Sequence, residues 1–483
     1  MSSHRGNLAS FVKNILLLLL LIPCEIYSQG ISNLWLTGYS SGIYPNYGGS
    51  NINFITGFPD TAKVNRSISF SDCNANISDS LGNLLFYTNG VVIGNAQNDT
   101  MVNGDSLNPG TYTSQATYGL RVKQGNLILP LPGSSTLYYL FHETLFYDQS
   151  VSDERVPEIY YSIVDMSLDS GRGSVTQKNV VLLSDTLTIG AITACKHANG
   201  RDWWIIFHKS KGRRYYEYLL TPTGLNGPYV QDIGYSLPFN DWIWQSCFSP
   251  NGKKFASVMA RDTINVFDFD RCSGVLSNSI KICIKDSAAG RGVAFSPNSN
   301  LMYVSSMNYF YQYNTSSTNL DSSKYVVAKF DGYADIIPPL YAAFYLSQIA
   351  NDGKIYTNTG NGTQWLMVTN NPDFPGASCN FVQHGFRLPT YNGFTIPNFP
   401  NYFLGADTGS VCDSLQFPIH SDENGAVEKR LLSRFPINII NTENKNPEPA
   451  KDTSMRLFTY KEFIEGKVDF KNDSINSGIY PNK

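Results

Sequence analysis

The chain is short of charge. Asp, Glu, Lys and Arg make up 16% of its 483 residues, against roughly 25% in an average soluble protein. The 36 basic and 39 acidic residues nearly cancel, leaving −3, so no nucleic-acid partner is expected. Sustained helical periodicity is missing, as is the Ala/Glu/Lys/Leu/Arg-rich composition that a coiled coil needs. No Cys-x-x-Cys occurs, which removes a zinc ribbon. No Asp-x-Asp-x-Asp-Gly loop is present to offer calcium its about six to eight oxygens. Beyond the N-terminus no apolar run is long enough to span a bilayer.

Aromatic and turn-forming residues are abundant instead. Aromatics reach 13%, with 30 Tyr and 28 Phe, and 45 Asn, 39 Gly and 24 Pro supply turn chemistry. A hydrophobic fraction of 42% is ample for a large core, which excludes wholesale disorder. Residues 1–28 have the layout of a secretory signal. His4, Arg5 and Lys13 form a basic start, Ile15 to Ile22 an apolar run of eight, and Pro23 breaks it before cleavage after Ser28. An uncleaved anchor is disfavoured because the run is too short to span. Lipidation at Cys24 is disfavoured because the small residues expected before it are absent. Seven cysteines follow the signal, an odd number in an exported chain. Cys272 and Cys283 are the closest pair in sequence and are expected to staple one hairpin, the alternative being buried free thiols.

From about residue 33 to 405 the chain is a series of short apolar or alternating runs punctuated by Gly, Asn, Asp and Pro, an all-β pattern. A turn-plus-strand unit recurs. Ser78–Asn83 runs into Leu84–Tyr87, His197–Asp202 into Trp203–Phe207, and Ser249–Lys254 into Phe255–Val258. Ser296–Asn300 runs into Leu301–Val304, and Asn351–Lys354 into Ile355–Tyr356. Turn starts at Ser249, Ser296 and Asn351 are 47 and 55 residues apart, the length of one four-stranded propeller blade. Residues 33–405 give about 53 residues per blade for seven blades and about 62 for six, so seven is the expected number. The ring is expected to close through N- and C-terminal strands. Leu34–Gly38 would lie beside the similar Asn401–Gly405, which removes sheet edges. The organisation is therefore signal 1–28, propeller 29–412, and a polar tail 413–483 with a linker at 441–452.

The series Trp35-Leu36-x-Gly38, Ile77-Ser78-Asp79-x-x-Gly82-Asn83-Leu84-Leu85-Phe86-Tyr87-Thr88-Asn89-Gly90, Leu107-Asn108-Pro109-Gly110, Phe267-Asp268-Phe269-Asp270-Arg271-Cys272, the two Phe-Ser-Pro-Asn turns and Ile396-Pro397-Asn398-Phe399-Pro400-Asn401-Tyr402 resembles the exported WD40-like propeller proteins of bacteria that use type IX secretion. The resemblance covers roughly 33–415 and implies a propeller and export, with no catalytic residues. Relatives end in a sorting domain that opens with Tyr-Pro-Asn-Pro; this chain stops at Tyr480-Pro481-Asn482-Lys483.

No catalytic, cofactor or metal site is legible. Gly38-Tyr39-Ser40-Ser41-Gly42 has the spacing of a nucleophile elbow but lacks the following helix, so it reads as a turn. His142-Glu143 lacks the second His of a zincin. Whether His142, His197, His208 and His384 converge at the channel is not readable from sequence. Asp79, Asp268, Asp270 and Asp352 read as turn caps. Trp203, Trp204, Trp242, Trp244, His142 and His197 are the candidate ligand surface, with packing between blades as the competing role of the tryptophans. Trp242 and Trp244 alternate and are expected on one strand face. The leading function is a secreted or surface scaffold that binds protein or glycan without catalysis. The alternatives are a channel-mouth enzyme of lactonase or lyase type, and a periplasmic partner of an envelope complex.

Overall fold

The computed structural model describes residues 30–413, apart from 41–45, 149–152, 238–241, 260–262, 287–289 and 337–338, together with 458–459 and 479–480. The signal segment and nearly all of the tail lie outside the described residues.

Seven of the sheets, antiparallel and in chain order, form a seven-blade β-propeller. Blade 1 pairs Leu34–Gly38, Gly49–Asn53 and Asp60–Val64; blade 2 pairs Ala75–Ser78, Leu84–Thr88 and Ile93–Asn95. Blade 3 starts at Asn126–Pro130, blade 4 at Thr193–Lys196, blade 5 at Ile243–Phe248, blade 6 at Gly290–Phe295 and blade 7 at Phe344–Ile349. In blades 2 to 7 this first strand is innermost. The face where these inner strands begin is called the entry face, and the opposite one the exit face.

The recurring turn of the sequence is the first hairpin of blades 2, 4, 5, 6 and 7. Its chemistry is local. Asp79 Oδ1 accepts the backbone N–H of Leu81 and Asn83 at 2.8 and 2.9 Å, and Asn251 Oδ1 accepts that of Lys253 at 3.0 Å. Gly82, Gly200, Gly252 and Gly353 take φ between +71° and +87° there, a region costly for other L-residues. The caps proposed for Asp79, Asp270 and Asp352 hold, since each carboxylate accepts a backbone N–H of its own turn. Asp268 instead accepts from Lys254 Nζ at 2.8 Å and Asn278 Nδ2 at 2.8 Å.

Large aromatics fill the space between blades. Trp35, Trp203, Trp204, Tyr215 and Tyr303 are essentially inaccessible, and aromatic side chains bury the most area per residue.

Closure of the ring is corrected in its detail. The segment after blade 7 enters the channel as a strap. Asn392 Oδ1 accepts the Gly38 N–H at 3.4 Å, and the Phe399 ring lies 6.3 Å from Trp35. The strap thus runs antiparallel to Leu34–Gly38 on its inner side and takes the innermost place in three-stranded blade 1. Pro397 and Pro400 cannot donate to a ladder, so side chains replace strand pairing. Asn398 Nδ2 donates to Asn126 O and Ile192 O, both at 2.9 Å. Residues 401–405 do not pair with Leu34–Gly38. They leave at the exit face over blades 4 and 5, where Asn401 Nδ2 donates to Pro250 O at 2.8 Å and Arg271 donates to Gly405 O.

The disulfide expectation is also corrected. Cys272 bonds Cys412 across 140 residues, with Cα atoms 5.6 Å apart, and Cys283 is a free thiol. Cys272 sits in the turn after Thr263–Phe269 whereas Cys283 ends the next strand, opposite Thr263, so the hairpin holds them at opposite ends.

Candidate functional site

The exit face carries the tight turns just described, and the entry face carries connections between blades, such as that between Lys329 and Phe344. Function concentrates on loops held by a rigid scaffold, and the entry mouth gathers side chains from five blades.

Trp244, Arg291 and Tyr345 are each the second residue of the inner strand in three successive blades. That shared position aims all three at the start of the channel. Lys123 comes from the connection just before blade 3, and Asp72 from that just before blade 2. Lys123 Nζ lies 2.9 Å from Asp72 Oδ1, 4.4 Å from the ring centre of Trp244 and 5.8 Å from that of Tyr345. Arg291 Cζ lies 4.1 Å from the Trp244 ring centre, and its Nη2 reaches Met307 Sδ at 3.3 Å. Trp244 and Tyr345 meet edge to face at 5.7 Å. Cations over an aromatic face are attracted by about 0.5–2 kcal/mol each, more when desolvated. The buried indole N–H of Trp244 has no hydrogen-bond partner.

A neutral acid adjoins this group. Glu143 ends the second strand of blade 3, and its Oε1 accepts the Gly190 N–H at 2.5 Å. Burial holds its carboxyl well above the ordinary carboxylate range, because a low-dielectric site penalises the charged form. Its Oε2, like Asn74 Oδ1, is buried without a hydrogen-bond partner. Burial, reinforced by Glu143 and Asp72, pushes the Cys73 thiol well up, so it is no nucleophile at neutral pH.

The expected ligand surface is not a surface. Trp203 packs edge to face on Tyr402 at 5.7 Å, beneath Lys196 Nζ at 4.0 Å. Trp204 donates its Nε1–H to Arg271 O at 2.9 Å, and Gly274 presses on its ring. Both are 1% exposed, so inter-blade packing is their role. His142 is buried between Asn108 Oδ1 at 2.7 Å and Ser162 Oγ at 2.8 Å, and burial drives its pKa to about 3. His197 accepts the Asn199 N–H at 3.1 Å through Nδ1 and bonds Cys272 O through Nε2 at 3.1 Å, so it braces a turn. His208 is buried against Tyr215, with its pKa driven by burial to about 4. His384 meets Asp331 at 3.0 Å on the rim of blade 7. The four do not converge. Among the described residues no group of three His, Cys, Asp or Glu could hold a metal. Of the expected residues only Trp244 stands at the mouth. Trp242 precedes the strand and is partly buried, and a register irregularity between Ile243 and Gln245 breaks the alternation expected for the pair. Lys123, Arg291, Asp72 and Tyr345 were not singled out in the sequence, and Glu143 was weighed only as part of an incomplete zincin motif. Arg291 and Tyr345 share with Trp244 a register at inner-strand starts, visible only once the blades are aligned; Lys123 and Asp72 lie in connections and Glu143 at the end of a second strand, where no such signal exists.

No helix among the described residues is long and apolar enough to cross a membrane. No family model matches the chain, and no curated protein matches it. Solved structures do. A protein from Lactobacillus plantarum is 11% identical, with 76% of this chain and 99% of that one covered and a TM-score of 0.45. A functionally unknown protein from Desulfotomaculum acetoxidans is 12% identical, covering 76% and 100%, with a TM-score of 0.40. The periplasmic gluconolactonase of Pseudomonas aeruginosa is 10% identical, covering 77% and 100%, with a TM-score of 0.42. The chain is a seven-blade β-propeller by its own sheets, and these solved structures are similar to it at low identity.

Proposed function

We propose that the protein is an exported β-propeller that captures a small polyhydroxylated anion, a sugar acid by its chemistry, at the entry mouth of its channel. One observation carries this reading. Lys123 and Arg291 are seated over Trp244, whose buried N–H has no partner. A carboxylate accepts from such donors and gains from both charges. One hydroxyl group would donate to Asn74 Oδ1 and another would accept from the proton that neutral Glu143 carries on Oε2, both buried atoms that otherwise go without a hydrogen bond. The Lys123 side chain is 12% exposed, so solvent reaches the mouth there. This refines a non-enzymatic glycan-binding scaffold into a site for an acidic sugar.

The test is calorimetric titration with glucuronate and with glucose. Glucuronate is expected to bind and glucose to bind far more weakly. Lys123→Ala and Arg291→Ala should each cost about 10- to 100-fold, the worth of one hydrogen bond to a charged group. Equal binding of the two sugars, or none of glucuronate, rejects the reading.

Opening of a sugar lactone is a second reading, favoured by one observation. Glu143 is held neutral while Asp72 is ion-paired to Lys123, and carboxyl groups kept in different states are the raw material of acid–base catalysis. Base uptake with glucono-δ-lactone above the spontaneous rate, abolished by Glu143→Gln, supports it; a rate no higher than spontaneous rejects it.

Export rests on residues 1–28 and is supported by the disulfide, a bond that persists in oxidising compartments. Passage through a type IX system to the cell surface, with a periplasmic location as the alternative, rests on the resemblance alone. Fractionation of a type IX-competent bacterium expressing the chain separates the two.

A further inference from the structure

We infer that the exit end of the channel holds a second binding site, for an uncharged and largely apolar small molecule. A cavity of about 450 Å³ lies there, within the roughly 300–1,000 Å³ of small-molecule sites. The inner strands of blades 4 to 7 form one wall and strap residues 398–404 the other. Phe248, Phe295, Ile349, Phe399 and Leu404 supply apolar surface. Among the described residues no Asp, Glu, Lys, Arg or His lines it, so an ion entering would lose its hydration with no charged side chain to replace it. Its two thiols are neutral: burial pushes Cys195 up to about 12 and raises Cys247 as well.

The polar side chains of the wall are already engaged. Gln124 Nε2 donates to Ser246 O at 3.0 Å and to Asn398 Oδ1 at 3.2 Å, and Gln348 Nε2 donates to Phe399 O at 3.3 Å. A bound molecule is therefore selected by shape and apolar contact rather than by charge. The turn residues Pro250, Asn351 and Gly353 and the strap residue Asn401 belong to the lining, so the cavity reaches the exit face. The ligand chemistry is the opposite of that at the entry mouth. The two sites share none of the residues named at the entry mouth; the nearest link is Gln124 of the cavity wall, which follows Lys123 in the chain.

Nile red, uncharged and fluorescent in apolar surroundings, is the probe, used with the full chain. Saturable binding of one molecule per chain is expected. Cys247→Trp and Ala350→Phe, which fill the cavity from two walls, should each weaken it at least tenfold, while Lys123→Ala at the other mouth leaves it unchanged. In the unaltered protein, saturating Nile red should slow hydrogen exchange of the backbone amides of strap residues 398–404, read by peptide mass. That measurement decides the matter if neither filling variant folds. Non-saturable binding, a folded filling variant that binds like the wild type, or unslowed exchange overturns the inference.

Discussion

Breaking the bond between Cys272 and Cys412 should be the costliest small change outside the core. The two residues are 140 apart, and the cross-link denies the unfolded chain every conformation in which that loop is open. Loop-closure entropy for 140 residues is worth about 5 kcal/mol at 25 °C as an upper figure, with about 2–5 kcal/mol usual for native disulfides. The loss has a definite place in the fold. Cys412 ends the strap, and the bond holds the strap to blade 5 beside the contacts of Arg271 with Gly405 O and of Asp407 N–H with Ala198 O at 2.8 Å. Urea unfolding of the wild type, Cys412→Ser, Cys272→Ser and Cys283→Ser is the assay. The first two variants should lose about 2–5 kcal/mol and resemble each other, as should the wild type under reductant. Cys283→Ser should stay within about 0.5 kcal/mol of wild type, the range of substitutions away from special features. An unchanged unfolding midpoint for Cys412→Ser, or an equal loss in Cys283→Ser, would refute the reasoning.

Other expectations follow from particular contacts. Glu217 is buried, accepts from Gln231 Nε2 at 2.5 Å, and has its pKa pushed by burial from 4.5 up to about 8. The folded state keeps a proton that the unfolded chain releases, so its contribution is whole below about pH 4.5 and is lost as pH rises to about 8. The slope is about 1.4 kcal/mol per unit, and Glu217→Gln should flatten it in denaturation at several pH values. His142 runs the other way: its folded pKa of about 3 lies below the ordinary 6.5, so stability is lost as pH falls from about 6.5, and His142→Gln should reduce that loss. Gly252→Ala should cost at least about 1–2 kcal/mol, because φ is +71° and a Cβ would meet Arg271 Cδ at 2.7 Å and Cys195 Sγ at 2.8 Å. Trp203→Ala should cost about 3–5 kcal/mol in thermal or urea unfolding; a surface role for this residue would leave stability unchanged.

Seven blades were legible because the hairpin turn is a local device. Its Asn, Asp and Gly residues act on backbone atoms within a few positions, and blade length follows from the spacing of turns. The capping roles of Asp79, Asp270 and Asp352 were legible for the same reason, whereas Asp268 pairs with Lys254 and Asn278 on neighbouring strands. Inter-blade packing of Trp203 and Trp204 was one of two readings the sequence allowed; burial decided it. The disulfide partner was not legible. Proximity in sequence favoured Cys283, but a hairpin holds Cys272 and Cys283 at opposite ends, while the strap brings Cys412 back from the end of the propeller. Closure was half legible. A C-terminal segment does complete blade 1, yet its prolines deny it a ladder, and 392–399 rather than 401–405 lies beside the first strand.

The sequence by itself determined the all-β class, the number of blades and the turn chemistry, since each depends on residues near one another along the chain. Tertiary structure alone decided the site. Asp72, Lys123, Trp244, Arg291 and Tyr345 are spread over more than half of the chain and meet only because five blades start around one axis. Burial, which neutralises Glu143 and the thiols, is likewise a property of the packed ring and not of any segment.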